Sequence, residues 1–196
     1  MSTVTVKSYA DIPICEKEIL RYARVGEANT ETLKLLNSAI SEARSVLTYG
    51  VCCAEFDISI NDGICDFGFF GIESKSLSKN LDGCKRAIVF AATVGVGIDR
   101  LIVKYSRISP SRAFMLGAVG AERIEALCDT FCNDMKLSLK AKLRPRFSPG
   151  YGDVPLSVQR DVLALLDATR KIGISLNESM LMSPSKSVTA IVGIEK

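Results

Sequence analysis

Residues 146–155, RFSPGYGDVP, gather an arginine, two prolines, two glycines and a tyrosine into a stretch that suits neither helix nor strand. Each proline fixes its own φ and pushes the preceding residue towards extended geometry, so the loop is stiff and shaped. At its entry, Arg146 offers a planar fork of donors suited to a carboxylate or phosphate, and Tyr151 brings a ring and a hydroxyl just beyond Gly150. Such a loop can hold a small anion. It can equally be a rigid connector whose Arg146 pairs with a nearby acid and whose Tyr151 packs. A second constellation lies upstream, where Ala118, Ala121, Glu125, Cys128 and Cys132 recur at helical spacing. Glu125 is then a carboxylate on a face of small residues that another backbone or a flat ligand can approach, or else a solvated acid at its edge. Between the two runs a basic stretch, Lys136, Lys140, Lys142, Arg144 and Arg146, with no acid among residues 136–147. Cations of this kind complement a helix C-terminus.

What is missing narrows the chemistry further. The chain has no histidine, which removes Ser-His-Asp and Cys-His nucleophile systems, histidine-ligated metals and histidine general bases. No metal site is expected. Seven cysteines, an odd number without C-x-x-C spacing, read as reduced and mostly core-filling thiols in a cytoplasmic setting. A net charge of +3 is too small to argue for nucleic acid. The longest apolar run, residues 87–98, falls short of the roughly 20 residues that span a bilayer, and the N-terminus lacks a basic start followed by an apolar segment. Neither nucleic acid nor a membrane is an expected partner.

These side chains need elements to position them. With 196 residues and 47% apolar content the chain is expected to form a single domain over 1–196. Residues 15–23 and 30–47 carry helical spacing; in the second, Leu33, Leu36, Ile40, Ala43 and Leu47 form a stripe and Asn29 is placed to cap it. Residues 54–72 alternate through Phe56, Ile58 and Ile60 and break at Asn61, Asp62 and Gly63, a hairpin signal. After a polar segment comes a strand at 87–93, then TVGVGIDR, which carries only part of a dinucleotide fingerprint because Arg100 stands at the sixth position. It reads as a strand-to-helix turn. The longest helix is expected over 111–142, with Ile124, Phe131 and Met135 on its core stripe. A further helix stops at Gly173, and 179–194 reads as two strands around a Ser-Pro-Ser-Lys turn. Hairpins and helices mixed without strict alternation indicate an α+β fold, a largely antiparallel sheet covered by helices.

The arrangement Arg146-Phe147-Ser148-Pro149-Gly150-Tyr151, followed by a helix ending in Gly and by LNESMLMSPSKSV leading into a last strand, resembles the activation domain of cobalamin-dependent methionine synthase. The helix MLGAVGAERIEALCDTF and the TVGVGIDR turn extend that resemblance over about residues 86–194. It implies a module that binds S-adenosylmethionine: Arg146 takes the ligand carboxylate, Ser148 and Gly150 offer backbone, Tyr151 lines the face turned to cobalamin, and Glu125 suits the ammonium end. It also implies an accessory component, not a self-sufficient enzyme, for reductive methylation of cob(II)alamin on a separate methionine synthase that lacks its own activation domain. The electron would come from a flavodoxin or ferredoxin, and Lys136, Lys140 and Lys142 would steer such an acidic partner towards the loop. A module that caps a corrinoid protein without binding S-adenosylmethionine is the alternative.

Overall fold

In the computed structural model, which describes residues 3–68 and 70–195, the chain opens with β1 (Thr5–Tyr9), α1 (Glu16–Tyr22) and α2 (Thr30–Arg44). The side chain of Asn29 caps α2 as its sequence position predicts, accepting from the Thr32 N–H at 2.9 Å. The buried stripe is Leu36, Ala39, Ile40 and Ala43; Leu33, one turn earlier, is left exposed. Next come β2 (Tyr49–Asp57) and a three-stranded meander, β3 (Ser59–Asn61), β4 (Ile64–Asp66) and β5 (Gly71–Glu73). The hairpin turns at Asp62 and Gly63, both at positive φ. The alternation of Phe56, Ile58 and Ile60 crosses from one sheet into another.

Continuing, α3 (Lys75–Asn80) leads to β6 (Arg86–Thr93), α4 (Gly97–Ile108) and the 30-residue α5 (Pro110–Leu139). The turn before α4 has a packing reason for its glycines: a Cβ at Gly97 would collide with the Val46 carbonyl oxygen, and one at Gly95 with Thr48 Oγ1. Helix α5 ends earlier than the basic run suggests, because Lys140 adopts φ 50° and ψ 40°. After it stand β7 (Lys142–Leu143), the shaped loop, α6 (Val158–Leu165) and α7 (Ala168–Ile172). The single helix expected up to Gly173 is thus broken at Asp167, which sits at φ 50°. The chain closes with β8 (Ser175–Leu176), β9 (Met182–Ser183) and β10 (Ser187–Glu195). The last two flank the Ser-Pro-Ser-Lys turn, yet β9 pairs with β8 while β10 joins the main sheet.

That main sheet has the order β1-β2-β6-β10-β7, antiparallel throughout. Ile88, Phe90, Ala92, Ala190 and Val192 face a core closed by α1, α2, α4 and α5. Ala87, Val89, Ala91 and Ile191 face a second core under the meander, α3, α6 and α7. Burial on both faces explains why β6 reads as a continuous apolar run and not as an alternation. The expected α+β fold, an antiparallel sheet covered by helices, is what the chain forms.

Candidate functional site

The shaped loop leaves the sheet edge along two anchors. The Arg144 N–H donates to the Gly193 carbonyl at 2.9 Å, and Phe147 and Ile191 exchange backbone hydrogen bonds at 2.9 and 2.8 Å. Phe147 is buried in the second core, so the residue before it is carried out over α5 from a fixed base. Beyond, the Tyr151 N–H donates to the Ser148 carbonyl and the Gly150 N–H to that of Val154, with Gly150 at φ 85° where a side chain would be strained. Ser148 is half-buried and Gly150 exposed. Tyr151 is 69% exposed and rests edge-on against the Phe147 ring, centroids 5.3 Å apart.

Asp153 fixes the far end of the loop. Its carboxylate accepts from the Ser74 hydroxyl and from the Lys75 and Ser76 N–H groups at 2.8 and 3.2 Å, at the start of α3. Those bonds, Ser74 foremost, pull its pKa down to about 2. Pinned at both ends, the loop has little freedom left.

Arg146 is where the two sequence constellations meet. Its Nη2 donates to Glu125 Oε2 at 2.8 Å and its Nη1 to Asp129 Oδ1 at 2.5 Å. The Arg146 side chain is 24% exposed, that of Glu125 46% and that of Asp129 70%. Burial alone would lower the Arg146 pKa; the neighbouring Cys128, Asp129 and Glu125 carry it well above the ordinary arginine value. In return, burial pushes the Cys128 and Cys132 thiols up while the Arg146 charge opposes it. The small-residue face of α5 is therefore approached by Arg146 itself. Asp129 was not singled out in the sequence, although it stands one helical turn beyond Glu125, the spacing that puts two carboxylates side by side.

Two clefts adjoin this ion pair. One, of about 470 Å³ between α1 and α5, is lined by Glu18, Tyr22, Glu122, Glu125 and Asp129 among others. The second, of about 490 Å³, is lined by Asp129, Cys132, Lys136, Leu143, Arg144 and Arg146. Asp129 belongs to both. A cation and two acids on one exposed edge, with room on either side, form a donor set suited to the zwitterionic end of an amino acid. Lys136, Lys140 and Lys142 are all exposed, though on three different pieces of structure: the last turn of α5, its left-handed cap and the edge strand β7.

A second arginine was also missed. Arg123 is fully buried and donates to Glu122 at 2.6 Å, to the Ile12 carbonyl at 2.7 Å and to that of Pro13 at 2.6 Å. Burial opposes its charge, and hydrogen bonds to Glu122 and Tyr49 leave its pKa raised. Glu122 also accepts the Cys15 N–H at 3.0 Å, so the pair clamps the N-terminal segment onto α5, and Glu122 with Ile12, Pro13 and Cys15 lines the first cleft. All seven cysteines are free thiols; all except Cys15 are buried. Among the described residues no helix is long and apolar enough to cross a membrane.

Residues 130–196 match the family described as vitamin B12 dependent methionine synthase, activation domain. The resemblance read from the loop and its sequel is borne out. The match takes in Lys136, Lys140, Lys142, Arg146, Ser148, Gly150 and Tyr151, and leaves Glu125 and Asp129 just outside it. The fold agrees over a wider span: a crystal structure of the MetH reactivation domain bound to AdoHcy is similar with a TM-score of 0.68 and 14% sequence identity, covering 97% of this chain and 78% of that one. No curated protein matches the chain in sequence.

Proposed function

We propose that this activation-domain fold binds S-adenosylmethionine and supports reductive methylation of cob(II)alamin carried by a separate, cytoplasmic methionine synthase without an activation domain of its own. The observation that carries the reading is the Arg146 fork set against Glu125 between two clefts, at the entry of the R-x-x-x-G-Y loop. A zwitterionic amino-acid end answers it, with its carboxylate on Arg146 and its ammonium on Glu125. The sulfonium gains from the same acidic edge. A structure of similar fold was solved with AdoHcy, the demethylated product of such a ligand. Cobalamin on the partner supplies the reducible centre that accepts the methyl group. In this chain the pinned loop orients the ligand, Ser148 and Gly150 present backbone to it, and the exposed Tyr151 covers the corrin face and keeps water away. A flavodoxin or ferredoxin delivers the electron.

The internal Arg146–Glu125–Asp129 pairing favours a second reading, a corrinoid cap whose small-molecule site is closed on itself. Calorimetric titration with S-adenosylmethionine, with and without the corrinoid partner, separates the two. The expected result is binding that Arg146→Ala weakens by about 1.5–3 kcal/mol, the range for a hydrogen bond to a charged group. Arg146→Lys recovers only part, because a point charge cannot replace the fork. Absence of binding under both conditions leaves the capping role.

A further inference from the structure

Arg146 divides its fork between two acids, one N–H to each, whereas two parallel bonds to one carboxylate are the stronger arrangement. The acids are not equivalent. Of these two clefts Glu125 lines the one between α1 and α5, while Asp129 lines that cleft and the one that also contains Arg146, so the Arg146–Asp129 bond stands where the two clefts adjoin. Asp129 is also the most exposed of the three groups, at 70% against 24% for the arginine. Its carboxylate can turn into water with little loss of hydration, whereas Arg146 is held by the Phe147–Ile191 backbone bonds beside it.

We propose that Asp129 is a specificity-determining latch: in the ligand-free chain it occupies the place on Arg146 that the ligand carboxylate takes, and it yields only to a ligand that brings a carboxylate of its own. The inference rests on the S-adenosylmethionine reading for the ligand, but not for the latch. Glu125 stays to meet the ammonium, so the two neighbouring acids act on affinity with opposite signs. An exposed ion pair of this kind shifts an equilibrium by about 1.5- to 5-fold, and the apparent affinity falls by the fraction of molecules in which the latch is closed.

The test uses Asp129→Asn and Glu125→Gln in the full chain, with two readouts. Calorimetry with S-adenosylmethionine should give Asp129→Asn a dissociation constant about 1.5- to 5-fold lower than the parent's, and Glu125→Gln a higher one. Phenylglyoxal, which modifies arginine, should react faster with Arg146 in ligand-free Asp129→Asn than in the parent, as followed by mass spectrometry of the 146-containing peptide. A parent that binds S-adenosylmethionine no less tightly than Asp129→Asn overturns the proposal, as does an unchanged modification rate. If neither protein binds S-adenosylmethionine while the rate still rises, the ligand reading falls and the latch stands.

Discussion

Arg123 and Arg146 are both bound to carboxylates of α5, but their surroundings assign them different work. Arg123 has no exposed surface, and its guanidinium donates to Glu122 and to the Ile12 and Pro13 carbonyls near the chain start. Removing one member of a buried pair leaves the other uncompensated, a loss of about 3–5 kcal/mol. Arg123→Ala should lower the unfolding free energy in urea by that amount and loosen the 12–15 segment; a cost below about 1 kcal/mol would place the clamp outside the stabilising core. Arg146, by contrast, remains within reach of solvent and ligand. The sequence made Arg146 legible because its neighbours Pro149, Gly150 and Tyr151 declare a shaped loop. Arg123 gave no such signal: two of its acceptors are backbone carbonyls 110 and 111 positions away, and a carbonyl has no residue-type signature.

At the scale of elements, the loop's stiffness was readable from its prolines and glycines, but its anchorage was not. The residues after the meander look merely polar, and α3 is only six residues long, too short to show a period. Yet its first N–H groups and Ser74 are what Asp153 holds. The carboxylate's pKa lies at about 2 in the folded chain, below the ordinary value near 4, so its contribution is complete above that ordinary value and disappears as pH falls through 2. Melting temperatures of the parent and Asp153→Asn should therefore differ most above about pH 5 and converge towards pH 2. A gap that stays constant over this range would mean that Asp153 acts through shape alone. The basic run shows the opposite limit of sequence reading. Helical spacing continues through 142, but Lys140 turns to positive φ, and the backbone reaches the sheet edge as β7. No side-chain pattern marks that choice, which is made by pairing with Ile194 and Glu195.

For the molecule as a whole, the α+β class was recoverable because hairpin and helix signals are local, whereas the two-residue strand β7 exists only through a partner some fifty positions away, and β8 and β9, paired with each other, are too short to show an alternation. Lys136, Lys140 and Lys142 project from the surface near the candidate site, on a chain of net charge +3. Exposed charges of one sign steer an oppositely charged partner and act mainly on the rate of encounter. Replacing all three with Gln should slow association with an acidic electron donor or corrinoid module at low salt, leave S-adenosylmethionine affinity unchanged, and lose its effect near 0.5 M salt, where the screening length is about 4 Å. Stopped-flow at two ionic strengths reads this out, and parental rates at low salt would make the run an ordinary solvated surface. The twice-covered sheet, finally, sets a timescale. Amides in the middle of β6 lie between β2 and β10, those of β10 between β6 and the Phe147 bridge, and both strands are covered above and below, so they can trade hydrogen for deuterium only when the entire domain opens. The Ser76 N–H, held by Asp153 alone on an exposed helix start, can exchange through a local event. Deuterium uptake should therefore be slowest along β6 and β10 and far faster at 74–76, so that the sheet keeps the domain's own clock while the helix start that anchors the loop keeps a quicker one.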